Sequence, residues 1–310
     1  MTDHCPSGRQ HELRHAEQRL TVVEVGGGIR EYLAAGRPVL DGYPAERVCD
    51  GARGQLLLPW PNRLAGASYQ FDGARYELPV TEPATGAAIH GLLRWANWDC
   101  AERDDDRLVM RTTLYPQPGW PFILDCSVAY QLAAVGLTVR LEVRNLGSSR
   151  CPFGAGAHPY LTVGTATIDP AILTVPANEF FAVDDNKIPT SLEPVAGTRY
   201  DFRSPRELGD TQIDIAYTGL TRDPDGRARV TLAAPGGHRV ALWLGEGYDY
   251  VEVFTGDSLP DPDRRRRGLG VEPMTCAPNA FRSGNGLRVL EPGDAVALDW
   301  GIEPGSTGHG

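Results

Sequence analysis

One lysine, Lys187, stands among the 30 basic side chains of this 310-residue sequence. A phosphate-binding Gly-Lys-Ser/Thr loop and Schiff-base chemistry both need a lysine amine. Lys187 lies instead in the polar stretch Asp184-Asp185-Asn186 before Pro189, so both are excluded. The six cysteines include no Cys-x-x-Cys pair, which removes the common zinc and redox motifs and leaves them as reduced, mostly buried thiols. No Gly-x-Ser-x-Gly occurs, so hydrolysis by a serine on a strand-to-helix elbow lacks its signature. There is no run of 18 apolar residues, and Met1 to Glu17 carries His, Arg and Glu where a secretory signal has its apolar region. These absences describe a cytoplasmic protein with no membrane partner.

Positive charge is short as well. The formal net charge of −10 opposes binding to nucleic acid, which depends on a positive field. What the sequence has in abundance is 36 Gly and 25 Pro, which argues against long helices. At 41% hydrophobic and 23% charged, the chain still has enough apolar material for a large core.

Alternation with period two recurs along it. Phe122, Leu124, Cys126, Val128, Tyr130 and Leu132 share one face; after Ala134-Val135-Gly136, Leu137, Val139, Leu141 and Val143 repeat the pattern, giving a long hairpin with one wet face. Asp72-Gly73 between Tyr69–Phe71 and Tyr76–Leu78 predicts a second, tight hairpin. A third joins Trp95–Cys100 to Leu108–Leu114 across Asp104–Asp106, which reads as a solvated loop. Further strands are expected over 20–25, 29–34, 172–175, 179–183, 229–233, 240–244, 250–254 and 296–302. The fold class is therefore all-β: one antiparallel domain of packed, twisted sheets over 19–302, with a disordered tail at 1–18 and a flexible one at 303–310. Arg264–Arg267, among Asp and Pro, reads as a solvated loop.

Histidine is scarce enough for elimination. His4, His11, His15 and His309 fall in the expected tails, and His238 follows a Pro-Gly-Gly turn. His90 and His158 remain, each beside glycines that let a ligand approach the backbone. Neither belongs to a metal-ligand spacing, so no metal is expected and acid–base chemistry is the surviving class. A carboxylate must join them. Glu-Pro occurs at 82, 193, 272, 291 and 303, but only Glu272 sits in an apolar, uncharged segment, where desolvation raises a carboxyl pKa toward the range of a general base.

Three segments together resemble the aldose 1-epimerase (galactose mutarotase) family: Leu58-Pro59-Trp60-Pro61-Asn62-Arg63 with Ile89-His90-Gly91; Gly156-Ala157-His158-Pro159-Tyr160; and Val253-Phe254-Thr255-Gly256-Asp257 through Glu272 to Asn279-Ala280-Phe281. Val271-Glu272-Pro273-Met274-Thr275-Cys276 is similar to its YihR-like bacterial branch. The resemblance implies a large antiparallel β-sandwich of the galactose mutarotase-like type with a sugar in an open cleft on one sheet. It implies mutarotation of a free aldohexose with Glu272 as general base and protonated His158 as general acid. Arg63, His90 and Asp214 would hold the sugar, although Asp210 is close to Asp214. Trp60, Tyr160 and Phe254 would face its C–H surface. No cofactor is implied, the partner is a small aldose, and the protein is a monomer or homodimer. The departures Trp60-Pro61 and His90-Gly91-Leu92 bear on sugar choice. The competing readings are a hexose-6-phosphate 1-epimerase, with Arg94 or the 264–267 run meeting the phosphate, and a non-catalytic carbohydrate-binding protein. A retaining glycosidase would need two carboxylates where the sequence nominates one.

Overall fold

The structure, a computed structural model, describes residues 5–305. Two large antiparallel sheets dominate it. The nine-stranded sheet runs in the order Asp99–Arg103, Arg107–Leu114, Leu124–Ala133, Gly136–Asn145, Ala295–Pro304, Arg239–Leu244, Ala228–Ala233, Ile172–Thr174, Arg206–Glu207. The eight-stranded sheet runs Pro189–Pro194, Ala177–Val183, Asp214–Leu220, Tyr250–Phe254, Leu269–Met274, Gly156–Ala157, Leu56–Leu57, with Tyr160–Leu161 also paired to Leu269–Met274.

Alternation drives this arrangement. In Leu124–Ala133 every second side chain is buried, and Val128, Tyr130, Leu141 and Trp300 of the first sheet share one hydrophobic cluster with Ile215, Tyr217, Val251 and Val253 of the second. Each sheet buries one face against the other, so the architecture is the expected β-sandwich. The long hairpin pairs Leu124 with Asn145 and Ala133 with Gly136, its Arg140, Glu142 and Arg144 exposed. The Asp72-Gly73 turn has φ of 48° and 79°, the left-handed pair a tight primed turn requires. One α-helix, Ala280–Ser283, occurs among the described residues.

The N-terminal segment corrects the expectation of a tail to residue 18. Gln10–His15 is a strand paired with Gln18–Val23, continued by Ile29–Ala34 and Arg37–Pro38 into a four-stranded sheet. Its inward residues are His11 and Leu13, and burying Leu13 alone contributes about 1.5–3 kcal/mol toward the cost of ordering the strand. The Asp104–Asp106 loop helps to hold it: the Arg14 N–H donates to the Asp105 carbonyl at 2.7 Å. The C-terminal strand extends through Pro304, two residues beyond the expected limit, while residues 1–4 and 306–310, His4 and His309 among them, lie outside the described residues.

Two other expectations change. Arg264 and Arg266 are not solvated: Arg264 pairs with Asp41 at 3.4 Å, and Arg266 contacts Asp169 and Asp257 at 2.5 and 3.0 Å. The cysteines are all free, but only Cys126, Cys151 and Cys276 are fully buried, and Cys100 is exposed.

Candidate active site

The site lies on the face of the eight-stranded sheet turned away from the core. Strand register places it there. Asp214 pairs with Phe254, Glu252 with Glu272 and Phe254 with Gly270 across three adjacent strands. Because strand side chains alternate, Asp214, Glu252, Phe254 and Glu272 share one face while Ile215, Val251, Val253 and Val271 enter the core. His158 arrives from the other side of the Glu272 strand. Gly156 pairs with Met274 and Tyr160 with Gly270, so the two residues between them, His158 and Glu272, are brought level.

Their contact is direct. His158 Nε2 lies 3.1 Å from Glu272 Oε1, with the two residues 4% and 2% exposed. The His158 ring stacks on Tyr160 with centroids 4.9 Å apart and 14° between planes, and His90 meets it edge-on at 5.2 Å. Tyr160 in turn meets Phe254 edge-on at 6.3 Å. His90 is fixed by Asn62: the Asn62 N–H donates to His90 Nδ1 at 3.2 Å, and the His90 N–H donates to the Asn62 carbonyl at 3.0 Å. Both residues are left-handed, with φ of 55° and 63°, a conformation that non-glycine residues adopt at a cost of order 1 kcal/mol and that clusters at functional sites. An Nδ1 that accepts leaves the ring proton on Nε2, so His90 presents an N–H donor.

The electrostatics set the proton inventory. Burial pushes the Glu272 carboxyl well up, Asp214 adds to the shift and Arg63 opposes it. Burial, followed by the Arg53 guanidinium, pushes His158 down. Burial thus disfavours the charged form of both members of the pair. His90 is likewise pushed well down, by burial and then by His158.

Of the residues nominated from sequence, Glu272, His158, His90, Tyr160 and Phe254 converge as described. Arg63 lies near enough to Glu252 and Asp214 to feel both carboxylates, but it is already engaged in a bidentate pair with Glu82 at 2.6 and 2.9 Å. Asp214 is on the site face, 3.4 Å from Lys187, and with Phe254, Tyr200 and Asp257 it lines a cavity of about 420 Å³; Asp210 is exposed in the preceding turn. Trp60 is the misplaced nomination. It packs edge-on against Phe281 at 5.5 Å within the core, its Nε1 buried with no partner among the described residues, because its large apolar surface is taken up there.

Glu252 was not nominated. It is 3% exposed, its Oε2 has no hydrogen-bond partner among the described residues, and burial, then Asp214 and Glu272, push its pKa well up. The signal was present: a lone carboxylate in Tyr250-Val251-Glu252-Val253-Phe254 meets the apolar-context criterion that selected Glu272. The two carboxyls are cross-strand neighbours on one sheet face. Arg53, Lys187 and Glu82 were also missed, since only tertiary contacts place them here.

Ligand atoms of His90, His158 and Glu272 fall within 4.8 Å of one another. A cation would not find free lone pairs on all three. His90 Nδ1 is occupied by the Asn62 N–H and its Nε2 carries the proton. The set suits proton transfer and hydrogen bonding.

The family model described as aldose 1-epimerase matches residues 9–300. An uncharacterised protein of Escherichia coli K12, YihR, is 34% identical over 300 residues, covering 96% of this chain and 94% of its own. The galactose mutarotase of Homo sapiens is 27% identical over 244 residues, 74% of this chain and 68% of its own. The solved structure of an aldose epimerase homologue from C. elegans superposes with a TM-score of 0.82 at 16% identity, covering 96% of this chain and 99% of that one.

Proposed function

The chain belongs to the aldose 1-epimerase family, and on that premise we propose that it interconverts the α and β anomers of a free aldohexose by opening and reclosing the ring. The reaction takes a proton from the anomeric hydroxyl and gives one to the ring oxygen. Both oxygens are bonded to C1, so the base and the acid have to stand side by side. The 3.1 Å contact between His158 and Glu272 is the observation that carries this reading.

In this reading the pair carries one exchangeable proton, which lies on His158 when a bound sugar engages both residues, with no net uptake. Carboxylate Glu272 then accepts the O1 proton as imidazolium His158 donates to O5; the C1–O5 bond breaks and C1 becomes an aldehyde. Rotation about C1–C2 presents the other face, and reversal of both transfers closes the ring. Arg63 favours the ionised form of Glu272. His90 donates from Nε2 to a sugar oxygen, Asp214 accepts from a hydroxyl, and Phe254 offers ring surface to the sugar's C–H groups, whereas the Tyr160 ring is covered by His158 and Arg53.

A second reading, an aldose bearing an anionic group such as a 6-phosphate, draws on Arg94. Its guanidinium lies 5.4 Å over the exposed Trp95 ring, is close enough to His90 and His158 to disfavour their charging, and has no ion-pair partner among the described residues. The Arg264–Arg267 run does not support that reading, since Arg264 and Arg266 are consumed by Asp41, Asp169 and Asp257.

The experiment is polarimetry of freshly dissolved α-D-glucose, α-D-galactose and their 6-phosphates with catalytic protein. Acceleration over buffer is expected. If Arg94→Met loses rate only on the phosphates, the second reading holds. Rates equal to buffer on every sugar would leave a carbohydrate-binding protein.

A further inference from the structure

A catalytic imidazole is usually oriented by a hydrogen bond at its second nitrogen. His158 has no such bond to another residue: Nε2 faces Glu272, and Nδ1 is buried with no partner beyond the residue's own backbone among the described residues. What holds the ring in plane is therefore its stack on Tyr160, nearly parallel at 14°.

Tyr160 is itself held at three points. Its hydroxyl donates to the Gly51 carbonyl at 2.8 Å, its carbonyl accepts from the Asp41 N–H at 2.8 Å, and the Arg53 guanidinium carbon sits 4.2 Å from the ring centroid. The same short loop grips the His158 backbone. The Gly54 N–H donates to the His158 carbonyl at 2.8 Å and the His158 N–H donates to the Gln55 carbonyl at 3.0 Å. Arg53 is the unusual member. It is 2% exposed, and its Nε, Nη1 and Nη2 make no hydrogen bond among the described residues, leaving only Asp41 and Asp50 at 3.4 and 3.5 Å. A guanidinium so buried and so poorly bonded is expensive for stability, and an apolar side chain of similar size would serve packing as well.

We propose that Arg53 is a positioning residue for the acid–base pair, acting on His158 through the ring of Tyr160 and through its own charge. It touches neither Glu272 nor the cavity beside Asp214. Cation–π contact fixes the ring against which the imidazole lies, and the positive field disfavours protonation of His158. The groups facing His158 are Glu272, His90 and Tyr160 by contact and Arg53, Arg63 and Arg94 by charge, so Arg53 biases a balance to which all of them contribute.

This inference rests on the mutarotase reading for its kinetic arm only. The variants are Arg53→Met, Arg53→Lys and Tyr160→Leu. The first measurement is NMR titration of the His158 ring, which requires no activity. Arg53→Met is expected to raise the pH at which the ring protonates by roughly one unit, and Arg53→Lys to return it most of the way. In mutarotation, Arg53→Met is expected to lower kcat about tenfold with KM little changed and to move the pH–rate profile in the same direction; Tyr160→Leu should lower kcat similarly. Asp41 retains Arg264 and Asp50 is partly exposed, so Arg53→Met leaves no buried unpaired carboxylate and should fold. Should it not, the titration of Arg53→Lys against Tyr160→Leu separates charge from stacking. An unshifted His158 titration with an unchanged pH–rate profile overturns the proposal, whatever happens to thermal stability. A wild-type protein without mutarotase activity but with the shifted titration would overturn the mutarotase reading and leave the positioning intact.

Discussion

His158 and Glu272 are 114 positions apart in sequence and 3.1 Å apart at Nε2 and Oε1 because the strand carrying Glu272 pairs with residues on both sides of His158. Gly156 meets Met274, Tyr160 meets Gly270, and His158 and Glu272 are left opposite each other at the break between two short strands. The pair is thus built by register, and on the proposed mechanism a change in that register acts on the rate.

Gly54 tests the connection. It has φ of +68°, and a Cβ there would lie 1.8 Å from the Ile29 carbonyl oxygen, while its N–H holds the His158 carbonyl. Gly54→Ala combines backbone strain with a clash that only backbone movement relieves. We expect a fall of several degrees in Tm and a disproportionate loss of kcat, checked by calorimetry and polarimetry on the same preparation. A variant as stable and as active as wild type would contradict the local geometry.

Glu252 makes stability depend on pH. Burial, Asp214 and Glu272 raise its folded-state pKa above the unfolded value, so its favourable contribution is complete below the ordinary carboxylate range and is lost as pH rises toward the raised value. Glu252→Gln mimics the neutral form and removes that dependence. The variant should match wild type near pH 4 and exceed it in Tm by about 2 °C at pH 8, as measured by melting across that range. A constant difference at all pH values would mean that the Glu252 pKa is the same in the folded and unfolded chain.

Arg63 is held by a two-pronged contact with Glu82 at 2.6 and 2.9 Å that a lysine cannot reproduce. Arg63→Lys keeps the charge that favours ionised Glu272 but loses the fixed orientation. The expected outcome is a KM raised about tenfold with a smaller change in kcat. Equal losses in Arg63→Lys and Arg63→Met would show that geometry, not charge, is the whole contribution.

Much of this was legible in the sequence. Period-two alternation located the hairpin at 124–145 within two residues, and Asp72-Gly73 announced the turn of the second hairpin, because strand faces and positive φ are local properties. Glu272 stood out by its apolar neighbours, which is also a local property. The strand Gln10–His15 was not legible, since its inward face carries His11 and a single apolar residue, Leu13. Nor was the burial of Trp60 against Phe281, because which way an aromatic points depends on a contact more than 200 residues distant. Glu252 and Arg53 entered the site through cross-strand register and a loop stack, relations that a linear pattern does not encode.

The most direct measurement is a double-mutant cycle on His158 and Glu272, with mutarotation rates followed by polarimetry for His158→Gln, Glu272→Gln and the pair. If the two residues exchange protons with O1 and O5 as a unit, each single change lowers kcat by about 10²- to 10⁴-fold, and the double change costs little more than the worse single one. A Glu272→Gln protein that keeps the wild-type rate, or two losses that simply multiply, would contradict the account.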